Sequence, residues 1–418
     1  MNDEIVKEKF PLLLTIVLIT GIFLVGSDEL IISPLLPLLV HDFNTSFSLA
    51  ALSVSLYGLA IGLVVLFIAP FIDRISRRKL MGLSLMGFAV SSMICAAAPN
   101  ISILLIGRLL SGVFAGVYIP TVYAYVGDQV SFTFRGRVMG LVLSGWSLSL
   151  IIGIPLGAYM GDLIHWRWTF ILIGSLAVGV SLISLNSLYG ESKLIQTVSS
   201  NKNFIGHLYM ACKAKEVGIL IFVTFCNMFG FYGLYTFLGS YIQETYSLST
   251  SDSGKVILFY GIGIALSPLA GVIVDYLGKK VTLISALIGL TINLIALSVF
   301  KLSLFQLYGL LIAWGALQSL VLTSLSSLLS EQSQEYRGRV MSLYSLATNL
   351  AVAMGSWTMG FVYHSYGFDK IGIICGLISG IGAIVYMLVQ LYNKHYLNRK
   401  QGVYSQIKGN SQTFKKIW

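Results

Sequence analysis

The sequence predicts an all-α membrane protein whose twelve transmembrane helices form two pseudo-symmetric six-helix bundles. Three observations carry that expectation. Of 418 residues, 56% are hydrophobic and only 11% charged, far below the roughly 25% charged residues of a water-soluble domain. About twelve apolar windows reach the ~20 residues that a helix needs to cross a hydrocarbon core. A group of sequence landmarks also recurs in the second half at constant separation.

The windows fall near 11–40, 48–72, 80–98, 101–127, 138–161 and 166–189, then 216–243, 254–274, 281–300, 304–330, 339–363 and 370–392. The first is too long for a signal-peptide core and no small-residue cleavage site follows it, so it is expected to remain as a span. The only long polar stretch between spans is "ESKLIQTVSSNKNFIGHLYMACKAKE", which begins at Glu191. The chain therefore divides into an N-terminal bundle over 1–190, a cytoplasmic linker over 191–215, a C-terminal bundle over 216–393 and a basic tail over 394–418.

The net charge of +10 raises nucleic acid as a partner, but the basic residues sit in short loops and tails rather than on one stripe. If the first residue is cytoplasmic, twenty-two of the 27 Lys and Arg residues lie on the inside, with Arg167, Lys255, Lys301 and Lys370 outside. That bias predicts a multi-pass protein of the cell membrane with both termini cytoplasmic, and it assigns the basic tail to anionic lipid. Cys95, Cys212, Cys226 and Cys375 have no CxxC spacing and the five histidines are isolated. No metal site, disulfide framework or cofactor is expected. The absence of G-x-S-x-G, H-E-x-x-H and P-loop motifs argues against an enzyme and against direct ATP drive.

"FRGRVMG" at 134–140 and "YRGRVMS" at 336–342 share RGRVM at a separation of 202. The same separation carries Asp73 onto Asp275, and the basic pair Arg77 and Arg78 onto Lys279 and Lys280. Two landmarks at one offset indicate duplicated halves that begin on the same side. Such halves are related about an axis along the membrane normal, and a substrate cavity belongs between them near the midplane.

Several motifs then occur in order. The loop after the second span, "APFIDRISRRK", carries Asp73, Arg74, Arg77, Arg78 and Lys79, with Ala69 and Ser76 where glycines are usual in the signature GxLaDrxGrk. The fourth span has "RLLSGVFAG" from Arg108, similar to RxxxGxxxA. The fifth has "GIPLGAYMGDLIHWRWTF", with Gly153, Pro155 and Gly157 at its core; the matching segment "GSWTMG" has Trp357 where the proline would fall. On these motifs the chain resembles the major facilitator superfamily over essentially its whole length, and within it the twelve-span drug and proton antiporter branch. The resemblance implies the major facilitator fold, rocking of two bundles, and a latch at Asp73 and its neighbours that breaks and reforms. It also implies a fifth-span glycine and proline element that limits leak and sets the direction of transport. The glycines have a packing role of their own, since small residues three or four apart let helices approach closely in a membrane.

Three charges lie clearly within spans, Asp28, Glu29 and Arg108. A carboxylate there is expensive, by roughly 3 kcal/mol on insertion scales, and is a functional candidate by default. Counting inward from His41 and Asn100 places Glu29 and Arg108 about 18 Å and 12 Å below the outer loops at 1.5 Å per residue, so contact between the first and fourth spans is expected. Adjacent helical residues point about 100° apart, so Asp28 and Glu29 should have different roles. By resemblance Glu29, ahead of the Pro34 and Pro37 ending, is the main proton carrier and Asp28 its assistant.

Candidate cavity residues are Tyr57, Tyr118, Tyr123, Trp146, Asn227, Tyr232, Tyr235, Trp314, Gln318, Asn349 and Trp357, large or amide-bearing side chains in spans that line the cavity of such proteins. As a set they describe an amphipathic pocket suited to a planar, apolar molecule, cations included. The expected function is proton-coupled export of small amphipathic or cationic compounds, drugs included, by a monomer whose partners are its small-molecule substrate, protons and the lipid bilayer. The alternative is export of one metabolite, such as a sugar, nucleoside or amino acid.

Overall fold

The computed structural model describes the backbone of residues 10–72, 75–188, 215–331 and 337–414, and their side chains except at 69–72, 187, 215, 337–339 and 394–414. The described residues are helical almost throughout, with no strand among them. This is what a bilayer requires, because a helix satisfies its backbone hydrogen bonds internally.

The first span is two helices, α1 (Leu12–Leu30) and α2 (Ile32–Asp42). Then follow α3 (Phe47–Ile72), α4 (Arg77–Ala96) and α5 (Ile101–Gln129). The fifth span comprises α6 (Phe132–Leu148), a π-helical turn at Ser149–Gly153, α7 (Ile154–Met160) and a second π turn at Gly161–His165. The sixth is α8 (Trp166–Ser187). The second half contains α9 (Lys215–Tyr246), α10 (Thr250–Ala265), α11 (Ser267–Leu277), α12 (Lys279–Val299), α13 (Leu304–Glu331), α14 (Arg337–Tyr366) and α15 (Phe368–Phe414).

Among the described residues nine helical stretches are long and apolar enough to cross a membrane, ten with the bent pair α10 and α11. One of the nine, 132–186, is 55 residues long, about 80 Å as helix. It turns back at His165, whose backbone is extended, and so supplies two spans. The 30-residue α14 is long enough to cross but more polar. With it the twelve expected spans are accounted for.

Three spans are interrupted where continuous windows were expected, and proline explains each break. Pro34, Pro155 and Pro268 cannot donate to the carbonyl four residues back. Near them the helix breaks at Ile31, shifts into π turns around α7, and bends by 40° between α10 and α11. The last helix continues for 47 residues through the basic tail, about 70 Å and well beyond a bilayer.

The internal repeat is visible in the packing. A Cβ on Gly112 would lie 2.3 Å from the Tyr57 carbonyl, and one on Gly315 would lie 2.3 Å from the Tyr260 carbonyl. Both members of these crossings are 203 residues apart. At the face from which α1 starts and into which α15 runs on, the termini face, Arg77 pairs with Asp128 at 2.5 Å and Lys279 pairs with Glu331. The same contact thus ties α4 to α5 and α12 to α13.

Two hydrophobic cores form. One belongs to the first half alone and includes Val17, Leu18, Ile61, Val126 and Val138, toward the termini face. The other runs through the second half and also takes in Leu35, Leu39, Ala50, Trp166 and Phe170 of the first half, toward the opposite face. The halves are therefore fused by apolar packing on the side away from the termini.

Candidate functional site

The first span delivers its two carboxylates to two different places. Asp28 turns into the first half, where its Oδ2 accepts from Arg108 Nη1 at 2.6 Å, both side chains being fully buried. The guanidinium also donates through Nε to the Ser53 carbonyl at 3.3 Å and lies 4.4 Å from the centre of the Tyr57 ring. Two charges survive in an apolar layer only when paired and hydrogen-bonded, and α3 and α5 supply that shell.

Glu29 faces the other half. Its Oε1 accepts from the Tyr232 hydroxyl of α9 at 2.5 Å. Glu29 and Tyr232 are 203 residues apart, the same spacing as the repeated crossings, so two equivalent positions of the halves meet. Asp28, Glu29 and Arg108 are the buried charged residues among those described.

The break in the first span shapes this contact. Pro34 leaves the Leu30 carbonyl without a helical donor, and the Tyr235 hydroxyl approaches that carbonyl at 3.4 Å. One turn on, Ser33 Oγ donates to the Tyr235 carbonyl at 2.6 Å and accepts from the Gly239 amide at 3.1 Å. Gly239 is required there, since a Cβ would fall 2.4 Å from the Ser33 carbonyl. Gln243 Nε2 donates to the Pro34 carbonyl at 2.9 Å.

The fifth span buttresses the same joint. Cβ atoms on Gly153, Gly157 and Gly161 would meet Ser27, Ile31 and Leu35 at 2.0, 2.7 and 2.5 Å respectively. Three glycines four residues apart thus face three residues of the first span with the same spacing, a row of close contacts that small residues permit. On its other side this span meets α10, where a Cβ on Gly254 would lie 2.5 Å from that of Ala158 and 3.4 Å from Pro155 Cα. The Asp162 carboxylate accepts from the Ser251 amide at 3.2 Å.

The cavity candidates divide into groups. Tyr57, Tyr232 and Tyr235 join the carboxylate layer. Asn227 and Gln318 exchange amide hydrogen bonds at 3.3 and 2.9 Å between α9 and α13, and Trp314 is fully buried one turn from Gln318. Tyr118 fills the space over Gly21, Trp146 packs on Gly26, and Tyr123 is half-buried on α5. Asn349 donates to the Ser345 carbonyl at 2.8 Å and lies over Gly62. Trp357 stands apart at 47% exposure, in an outward row with Leu350, Met354 and Phe361.

At the termini face Asp73 and Arg74 lie outside the described residues. Arg78 donates to the Leu188 carbonyl at 3.0 Å and Lys79 is exposed. Asp275, Lys279, Lys280 and Glu331 line an open cavity of about 420 Å³. On the opposite face Asp42 accepts from Trp166 at 2.7 Å and from Arg167 at 3.0 Å, with His165 at 3.2 Å. Partial burial acts to raise the Asp42 pKa, but these hydrogen bonds and charges outweigh it and hold the carboxyl below its ordinary range.

Sequence reasoning missed Asp128, Glu331, Ser33, Phe231 and Tyr260. The first two could have been found as acids at the ends of the fourth and tenth spans, opposite basic loops.

The model for the Major Facilitator Superfamily matches residues 18–263 and 220–413. The chain is 43% identical over 388 residues to "Uncharacterized MFS-type transporter YwfA" of Bacillus subtilis (strain 168), covering 92% of this chain and 93% of that one. A "Probable sugar efflux transporter" of Pasteurella multocida (strain Pm70) is 24% identical over 264 residues, 63% of each chain. Among solved structures, a bacterial homolog of the human lysosomal transporter Spinster, inward-facing and occupied, superimposes with a TM-score of 0.73 at 14% identity, covering 92% of this chain and 98% of that one. Matched over nearly its full length in sequence and in fold, the chain belongs to the Major Facilitator Superfamily and is a membrane transporter.

Proposed function

We propose that this transporter is a proton-coupled exporter of small amphipathic or cationic compounds, drugs included, and that Glu29 carries the proton. The observation that carries the reading is the unequal treatment of the two carboxylates. Asp28 is held by Arg108, whereas Glu29 has no ion-pair partner among the described residues and is held by a neutral phenol from the other half. A carboxylate accepts that hydrogen bond strongly. Once protonated it becomes a donor as well, so the proton changes the tie between the halves. Asp28 and Arg108 fix the geometry around it.

In this reading the termini are cytoplasmic, the protein works as a monomer in the cell membrane, and the two bundles rock about the layer of Glu29. The apolar fusion of the halves on the side away from the termini supports an arrangement that is closed on that side. The glycine row of the fifth span seals the first span and limits leak, and the charged loops around Asp73, Arg77 and Asp275 act as latches. Inward movement of one positive charge gains about 2.3 kcal/mol per 100 mV, enough for roughly fiftyfold accumulation.

A second reading, export of one polar metabolite such as a sugar, is favoured by the relatives named for sugar efflux and by the amide pair Asn227–Gln318. Purified protein in proteoliposomes, given an imposed pH gradient and a panel of cations and polar metabolites, tests both. Efflux that ignores the gradient would refute the coupling; movement of one polar metabolite alone would select the second reading.

A further inference from the structure

The halves meet along two seams that part at different depths. On α3 and α14, Cβ atoms on Gly360, Gly58 and Gly62 would lie 2.8 Å from Ser48, 2.6 Å from Val352 and 2.9 Å from Asn349. The other seam joins α10 to the fifth span. There a Cβ on Gly254 would meet Ala158 at 2.5 Å, and one on Gly261 would meet Leu150 at 2.9 Å and Ile151 at 3.1 Å. Gly58 and Gly261 are repeat equivalents, 203 residues apart, and both are sealed. One turn on, Gly62 is still covered by Asn349, whereas its equivalent Ala265 is exposed.

Proline explains the difference. Pro268 lies at the 40° bend between α10 and α11, and the second seam parts there. The antiparallel register set at Gly254 and Gly261 would put Gly271 opposite Gly140 and Leu141, ten residues on along each helix. Yet among the described residues no neighbouring group lies within 4 Å of a Cβ on Gly271, Gly140 or Gly136. Val272, on the same helical face as Gly261, is 67% exposed. A cleft thus opens between α6 and α11 over about 15 Å of rise, close to half of a hydrocarbon core.

The walls suit one kind of occupant. From Val138 to Leu148 and from Ala265 to Val274 they carry no charged residue, while Arg135, Arg137 and Asp275 stand at the rim. At the deep end Trp146 packs on Gly26, three residues before Glu29. An amphipathic molecule lies in a leaflet with its apolar part in the hydrocarbon and its polar head at the surface, and apolar walls under a charged rim match that posture.

We propose that the cleft between α6 and α11 is a side portal, through which an amphipathic compound dissolved in the leaflet on the termini side enters the transporter without passing through water. This deepens the transport reading above and rests on it. The portal delivers the compound to Trp146, just below the carboxylate layer.

The first test needs no cargo. Bimane on Gly140→Cys or Ala265→Cys, in full-length protein with a cysteine-free background and brominated phosphatidylcholine, should be quenched nearly as strongly as bimane on Trp357→Cys in the outward row of α14. The second uses an imposed pH gradient and two cations: trimethylammonium diphenylhexatriene, which resides in the leaflet, and ethidium, which dissolves in water. Gly140→Trp and Gly271→Trp fill open space and displace nothing, and each should raise KM for the leaflet probe about fivefold with KM for ethidium unchanged. Unquenched bimane at both positions, a wild type that does not move the leaflet probe, or KM values that change equally for both probes overturns the proposal. Quenching with unchanged KM in both variants means that lipid chains alone fill the cleft, and overturns it too. Efflux of the leaflet probe that ignores the gradient refutes the coupling reading and leaves the portal standing.

Discussion

The hydroxyl of Tyr232 and the carboxylate of Glu29 meet at 2.5 Å across the boundary between the halves, while the neighbouring Asp28 is locked to Arg108 within the first half. One turn of chain thus holds a carboxylate that must part from its partner when the bundles separate and another that need not.

The two carboxylates should fail differently. Glu29→Gln keeps a group that can accept from Tyr232 and is expected to fold normally while losing the response of efflux to a pH gradient. Asp28→Asn leaves Arg108 charged and unpaired in the apolar layer, a change of about 3–5 kcal/mol for buried pairs. Thermal melting of the detergent-solubilised proteins should show a clear drop for the second and little for the first.

The glycine row of the fifth span predicts a leak. Gly157→Val places new carbon where Ile31 and Thr169 already lie, and overpacking of this kind costs about 1–3 kcal/mol. Displacement of the first span should raise passive proton entry into liposomes without cargo, read with an internal pH dye. Gly127→Ala is the control, because nothing lies within 4 Å of its Cβ position.

Closure on the face away from the termini depends on Gly239. A valine there would strike the Ser33 carbonyl and Pro34, so the halves should stay apart on that side. A cysteine in place of Gln243, which donates to the Pro34 carbonyl, should then react several-fold faster with a polar maleimide in the Gly239→Val background.

The cluster around Asp42 gives a pH dependence of stability. Its carboxyl pKa is lowered in the folded protein from an unfolded value near 3.9, so its contribution is complete above about pH 4 and is lost as pH falls through the lower folded value. Melting temperature should decline below about pH 4, and Asp42→Asn should be less stable at neutral pH with a shallower acid decline.

Much of this arrangement was legible in the sequence because membranes make charge rare. Asp28, Glu29 and Arg108 stood out against an apolar background, and their depth along known helical rise already brought Arg108 to the first span. The partner of Glu29 was not legible in the same way, because Tyr232 is one tyrosine among 22 and only the meeting of the halves selects it. Hydropathy also counts apolar residues without saying which way they face. Trp357 was grouped with the cavity, yet the spacing of Leu350, Met354, Trp357 and Phe361 marks one outward stripe of α14. Breaks at Ile31 and around α7 follow from Pro34 and Pro155, but whether a proline bends, splits or re-registers a helix depends on who takes the freed carbonyl.

That last dependence has a kinetic side. The Leu30 carbonyl freed by Pro34 is served by Tyr235 of the other half, so parting the halves strands a backbone acceptor in an apolar layer, which is costly. A cargo able to donate a hydrogen bond to that carbonyl would fill the vacancy, and an empty carrier has nothing to offer. Loaded protein should therefore turn over between its two arrangements faster than unloaded protein, so that exchange of cargo for cargo outpaces net flow.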